Sequence, residues 1–517
     1  MHVITDLLTS NVRTRPEAPA LLSAAGRVSY RELFVEAHGR SRSLARIGVA
    51  KGDRVAIFQA RGHAALASFF GIQLLGGVAV FLGDGVRRAQ IDHILRDSQP
   101  RAVVVDDRQR HLLPSTLPSD AVLALGPDEA SDDASSADPA AAPPVIGRDL
   151  AVLLYTSGST GGPKGVMVTH ENLVSGAQIV ADYLGLCPAD RALGLLPWNF
   201  DYGLNQVLAT FHAGGCVVPQ NSSFAPDICR SIADYAVTGL AGVPAIWSLL
   251  LRRPSPFLHM ELPSLRYITN SGGPLSSMTI DLLQRHHPNT EIVAMYGLTE
   301  AFRSSYLPPA ELHLRPGSMG RAIPNTELLV VGADGHRCGP GELGELVHSG
   351  PTVAAGYWRQ PEATTKVFRP HPFPPPGAVP QVVVYSGDNV TTDEQGYLYY
   401  VGRGDELFKS RGIRTNPGEI EAGLLASGLA TEIIVRPLPA EDSEPLIIAA
   451  VIPIGSDIED SSLASRLDAH ARATLTPHLR PHHYMIVREP PRTDSGKTDR
   501  MTVRRMMVAR FGTDQPL

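Results

Sequence analysis

Tyr155-Thr156-Ser157-Gly158-Ser159-Thr160-Gly161-Gly162-Pro163-Lys164-Gly165 is the stretch on which the reading of this chain turns. It follows residues 151–154, a short apolar run that reads as a buried strand. Glycines let the main chain approach a ligand closely, while exposed N–H groups, hydroxyls and the Lys164 ammonium suit phosphate oxygens. The spacing is not the phosphate loop G-x-x-x-x-G-K-[ST], because Gly165 follows Lys164. No acidic ribose-binding position of a dinucleotide fingerprint follows either. The plain alternative is a flexible Ser/Gly loop.

Outward from this stretch the pattern alternates. Residues 30–44 have helical apolar spacing, 54–58 read as a strand, 63–75 as a helix and 78–81 as a strand. A helix at 91–96 then feeds a strand at 102–105. Such alternation predicts an α/β fold with a largely parallel sheet covered by helices. Residues 127–145, rich in Ala, Asp, Ser and Pro, read as a flexible surface loop. Residues 369–380 carry six prolines and read as an irregular surface loop. Towards the C-terminus, 417–421 read as a helix start, 446–454 as a strand and 461–475 as an amphipathic helix.

At 517 residues the chain exceeds a typical single domain. Its 43% hydrophobic content is that of an ordinary soluble protein. A net charge of −6 argues against a nucleic-acid partner, which needs a basic face. Cys187, Cys216, Cys229 and Cys338 form no C-x-x-C pair, which indicates neither zinc nor a disulfide framework and fits a cytoplasmic location with reduced thiols. The N-terminus has no signal-peptide layout, and the longest apolar runs are too short to span a membrane.

Four further stretches follow in order: Tyr296-Gly297-Leu298-Thr299-Glu300; Tyr385-Ser386-Gly387-Asp388; Gly402-Arg403-Gly404-Asp405 continuing through Lys409-Ser410-Arg411-Gly412; and Pro491-Arg492-Thr493-Asp494-Ser495-Gly496-Lys497. Together with 155–165 they resemble the signatures of the adenylate-forming (ANL) superfamily, which includes acyl-CoA synthetases, luciferases and the adenylation domains of nonribosomal peptide synthesis. The resemblance implies a two-domain α/β fold. A large ATP- and substrate-binding domain would span 1–404, and a small mobile α+β domain 405–517, with Asp405 at the hinge. ATP and Mg²⁺ would be the cofactors. The segment Thr156, Ser157, Gly158, Ser159, Thr160 and Lys164 would hold the β- and γ-phosphates, Thr299 the α-phosphate and Glu300 the metal. Tyr296 would lie against adenine, Asp388 would accept the ribose hydroxyls, and Arg403 would assist at ribose or phosphate. Lys497 would bridge the attacking carboxylate and the nucleotide as a mobile positive charge.

The acid to be activated is addressed by Pro197-Trp198-Asn199-Phe200-Asp201-Tyr202-Gly203. Many acyl-CoA ligases resemble P-x-H-H-x-x-G here, and peptide-synthetase adenylation domains F-D-x-S. Phe200-Asp201 fits the second pattern, with Gly203 departing from its serine. A buried carboxylate needs a partner. A substrate ammonium would supply one for Asp201; backbone N–H groups or a local arginine would be the structural alternative. Arg303 has three readings: it contacts a second carboxylate of the substrate, pairs with Asp201, or points elsewhere. The second weakens the amine reading. Asn205, Thr269, Ser271, Met295 and Ser304 would complete a mixed, rather small pocket. The resemblance thus implies activation of an amino acid and transfer to the phosphopantetheine thiol of a free-standing carrier protein. The alternative is an acyl-CoA ligase using CoA.

Overall fold

The computed structural model describes residues 1–83, 86, 88–114, 122–124, 144–157, 163–251, 255–404, 408–410, 413–438, 445–455, 459–493 and 497–512. The helix Tyr30–Arg46 starts with a reciprocal cap: the Ser29 hydroxyl accepts from the Glu32 N–H, and the Glu32 carboxylate accepts from the Ser29 N–H. Against it packs His63–Leu74, which is apolar around its whole circumference and accordingly buried.

One sheet runs in the order Val122–Ala124, Ala102–Val105, Arg54–Phe58, Val78–Phe81, Leu150–Ser157 and Pro163–Thr169. It is parallel until its last pair, which is an antiparallel hairpin with Tyr155 opposite Gly165 and Thr156 opposite Lys164. The two ends of the decisive stretch are therefore the facing strands of this pair, with Gly158, Ser159 and Thr160 outside the described residues.

A second, larger sheet contains, next to the parallel strand Pro19–Ser23, five parallel strands in the order Cys216–Pro219, Arg191–Gly194, Gly239–Gly242, Tyr267–Asn270 and Glu291–Tyr296. Beyond Glu291–Tyr296 it continues antiparallel through Ser305–Leu307, Ser318–Ala322, Leu398–Arg403, Val382–Thr392, Gly344–Ser349 and Glu327–Val331. The expectation of parallel strands covered by helices holds for the first half of the chain. The antiparallel half follows from hairpin connections that the sequence reading left unassigned. Phe368–Pro370 pairs along Val382–Thr392, so the proline-rich stretch begins as an edge strand before turning irregular. Most of 127–145 lies outside the described residues.

The C-terminal part is a smaller α+β unit. Ala430–Leu438, Leu446–Pro453 and His483–Ile486 form its sheet, packed by Pro417–Leu425, Asp460–Thr474 and Arg500–Phe511. No helix among the described residues is long and apolar enough to cross a membrane.

Candidate active site

The site lies beyond the carboxyl ends of the five parallel strands, where open α/β sheets place their ligands. The chain leaves the strand Arg191–Gly194 and enters the helix Asp201–His212, with Phe200 extended at the N-cap and Asp201 in the first turn, where a negative charge is favourable. Gly203 is needed for this close entry: a Cβ there would lie 2.2 Å from the Pro197 carbonyl oxygen. That contact accounts for its departure from serine.

Asp201 is 4% exposed. Its Oδ1 accepts from the Thr299 hydroxyl at 3.4 Å, and its Oδ2 lies 3.9 Å from Arg303 Nη1. Of the three readings of Arg303, the structure has its guanidinium facing Asp201. The pair is loose, however, since 3.9 Å exceeds hydrogen-bond length. Arg303 sits 4.5 Å over the Tyr202 ring, and its Nε and Nη2 find no hydrogen-bond partner among the described residues. Lys497 Nζ reaches in from the small unit, 4.7 Å from the centre of the Phe200 ring. Burial holds the Lys497 ammonium below its ordinary pKa; Asp201 pulls the other way and Arg303 adds to the depression.

The turn Thr299–Ala301 presents Glu300, whose Oε1 accepts from the Tyr357 hydroxyl at 2.6 Å. Lys164 Nζ stands 5.3 Å over the same Tyr357 ring. One tyrosine thus joins the carboxylate expected at the metal to the hairpin lysine. Burial and the Glu300 charge push the Tyr357 phenol far above its usual pKa, so it stays a donor. Farther along, Asp388 accepts from the Tyr296 hydroxyl and, at 3.3 Å, from Arg403 Nη1. Lys497 is within electrostatic reach of Asp201, Glu300 and Asp388, so these groups share one locus.

A cavity of about 20 Å³, room for one water, is lined in part by Tyr202, Asn205, Gln206, Thr269, Met295 and Arg303. The Tyr202 and Thr269 hydroxyls are hydrogen-bonded at 2.6 Å, and Met295 Sδ accepts from Tyr183 at 2.8 Å. Asn205 Nδ2 and both polar atoms of the Gln206 amide are buried without a partner among the described residues. Ser271 and Ser304 are buried but do not line this cavity, and the Ser304 hydroxyl donates to the Ala301 carbonyl at 3.3 Å. Asp405 is outside the described residues, and the Ser157 side chain is likewise not described. Sequence reasoning missed Tyr202, Gln206 and Tyr357. The first two carry a usable signal, since helical spacing from Asp201 and Asn205 puts them on or beside the same face.

The pattern described as AMP-binding enzyme matches residues 8–358, and that described as AMP-binding enzyme C-terminal domain matches 419–497. The chain belongs to the AMP-binding enzyme family. With that it is an adenylate-forming (ANL) enzyme. Among its relatives, tyrocidine synthase 3 of Brevibacillus parabrevis is 29% identical over 533 residues, covering 99% of this chain. The chain spans only 8% of that relative's length. ATP-bound MatB from Rhodopseudomonas palustris superposes with a TM-score of 0.83 at 27% identity, covering 98% of this chain and 99% of that one. The anthranilate CoA ligase AuaEII, solved with anthranoyl-AMP, has the same fold, with a TM-score of 0.85 at 24% identity, covering 98% of this chain and 97% of the other.

Proposed function

We propose that this AMP-binding enzyme activates a small amino acid as its aminoacyl-adenylate and passes the acyl group to the phosphopantetheine thiol of a separate carrier protein. A carboxylate oxygen attacks the α-phosphorus of ATP and pyrophosphate leaves; a thiolate then attacks the acyl carbon and AMP leaves. The donor set suits this nucleotide. Lys164, Arg403 and Lys497 supply positive charge, and Asp388 offers a carboxylate suited to ribose hydroxyls. Glu300 commits one oxygen to Tyr357, and a carboxylate is a fitting ligand for Mg²⁺. When bound, Mg²⁺ neutralises charge on the phosphates. Lys497 would orient the attacking carboxylate in the first step. We place the hinge at Asp405, between units spanning 1–404 and 405–517, so that the small unit can turn for the second step.

The observation that carries the amino-acid reading is the loose Asp201–Arg303 pair, 3.9 Å apart, with two arginine N–H groups unsatisfied among the described residues. Two opposite charges held beside each other but not hydrogen-bonded suit a zwitterionic group, the ammonium going to Asp201 and a carboxylate or other acceptor to Arg303. The favoured substrate is accordingly a compact amino acid with a second acceptor group. An acyl-CoA ligase is the second reading. It is favoured by Arg303, which already gives Asp201 a counter-charge. The test is pyrophosphate release across amino acids, amino dicarboxylic acids, their des-amino analogues and aryl acids, followed by transfer to CoA or to a phosphopantetheinylated carrier. Preference for des-amino acids, with CoA as acceptor, replaces the first reading by the second.

A further inference from the structure

Lys497 lies in a short antiparallel pairing of 491–493 with 497–499 that is held by the main chain. Arg492 and Thr498 form an antiparallel bridge. The Thr493 N–H donates to the Lys497 carbonyl at 2.7 Å, and the Asp499 N–H to the Pro491 carbonyl at 2.8 Å. Adjacent residues of an extended segment point to opposite faces. Lys497 points into the large unit, over Phe200, while the buried Thr498 points back into the small one. There the Thr498 hydroxyl donates to Glu432 Oε2, on the strand Ala430–Leu438. Arg492 Nη1 donates to Thr498 Oγ1 at 2.9 Å and lies 4.0 Å from Glu432. Two residues past Thr498, Arg500 donates to Glu421 at 2.6 Å, and Glu421 in turn accepts from the Val435 N–H of the same strand at 2.8 Å. Burial pushes the Glu432 carboxyl up, and the Thr498 hydroxyl is the largest influence holding it down.

We infer that Glu432, acting through Thr498 and Arg492, is a positioning residue that sets the reach and direction of Lys497 for adenylate formation. This rests on Lys497 serving the first half-reaction and not the second. A side chain with four rotatable carbons can bridge two reactants only if its root is fixed, and a misplacement of about 1 Å at a reacting centre can lower the rate a hundredfold. Loss of the anchor therefore impairs adenylation selectively. Mere loosening of the small unit would impair both steps.

The test compares Glu432→Gln, Thr498→Val, Thr498→Ser and Lys497→Ala with wild type. The probe is the acid of highest pyrophosphate release in the panel above. Each variant is assayed for single-turnover adenylation and for transfer from supplied acyl-adenylate to free pantetheine. Glu432→Gln and Thr498→Val should slow adenylation about ten- to a hundredfold with transfer near wild type; Thr498→Ser, which keeps the hydroxyl, should restore adenylation. Unimpaired adenylation in Glu432→Gln and Thr498→Val, or equal damage to both steps, overturns the inference alone when Lys497→Ala is inactive in adenylation. Full adenylation by Lys497→Ala, or no pyrophosphate release by wild type on any acid, overturns the underlying reading and the inference with it.

Discussion

Asp201→Asn keeps the side-chain volume and removes one buried negative charge opposite Arg303. Unit charges 3.9 Å apart attract by about 4 kcal/mol at an effective dielectric near 20. A substrate ammonium entering the same slot meets Asp201 at comparable strength. Removing one partner of a buried pair costs about 3–5 kcal/mol, or roughly a hundred- to a few-thousandfold in kcat/KM. That loss should fall on acids bearing an ammonium. Their des-amino analogues should be unharmed or improved, because the pocket becomes more positive by one charge. Arg303→Met should do the converse, penalising acids with a second carboxylate most. The assay is pyrophosphate release at saturating ATP on matched amino and des-amino pairs, with the KM for ATP and the thermal midpoint as controls. Equal loss for both members of a pair in a folded Asp201→Asn variant, or a wild-type preference for the des-amino acid, would refute the reasoning. Asp201 would then be the structural counter-charge of Arg303.

Lys497→Ala should nearly abolish adenylation while sparing transfer from a supplied adenylate; equal damage to both would remove the lysine from its role. Because burial lowers Lys497 below the ordinary 10.5, its proton is lost earlier as pH rises, so kcat/KM for adenylation should fall on an alkaline limb below that value. Lys497→Arg should lift the limb if any activity remains, and a limb that persists in Lys497→Arg belongs to another group. Gly272→Ala should also depress adenylation more than transfer: φ there is +78°, and a Cβ would lie 2.7 Å from Lys497 Cε. Equal rates for Gly272→Ala and wild type would show that the lysine approaches by another path. His348 is 1% exposed, its nitrogens have no hydrogen-bond partner among the described residues, and burial pushes its pKa down to about 3. The unfolded chain takes up this proton first. Stability from neutral His348 is therefore complete above about pH 6.5 and is lost towards pH 3, by about 1.4 kcal/mol per unit. His348→Leu should flatten that acid limb in urea melts, and an unchanged slope would refute the assignment.

Motif order and hydrophobic period determined a good deal. Residues 30–44, 54–58, 63–75 and 102–105 became the elements their spacing predicts, because each period matches the face its element buries. The adenylate-forming family, too, was legible from the five ordered stretches, since short polar motifs keep their spacing wherever main chain must approach a nucleotide. Tertiary structure decided what single residues have for neighbours. Asp201 and Arg303 are 102 positions apart and meet only where the start of a helix and the turn after a parallel strand converge. Tyr357 reaches Glu300 across 57 positions, and Glu432 reaches Thr498 across 66. Local periodicity says which face a side chain takes. It carries no information about the charge on the facing element, which is set by sheet order and by how the small unit rests on the large one. The sequence offered pairing with Asp201 as one of three readings of Arg303, and the fold alone set the two charges side by side.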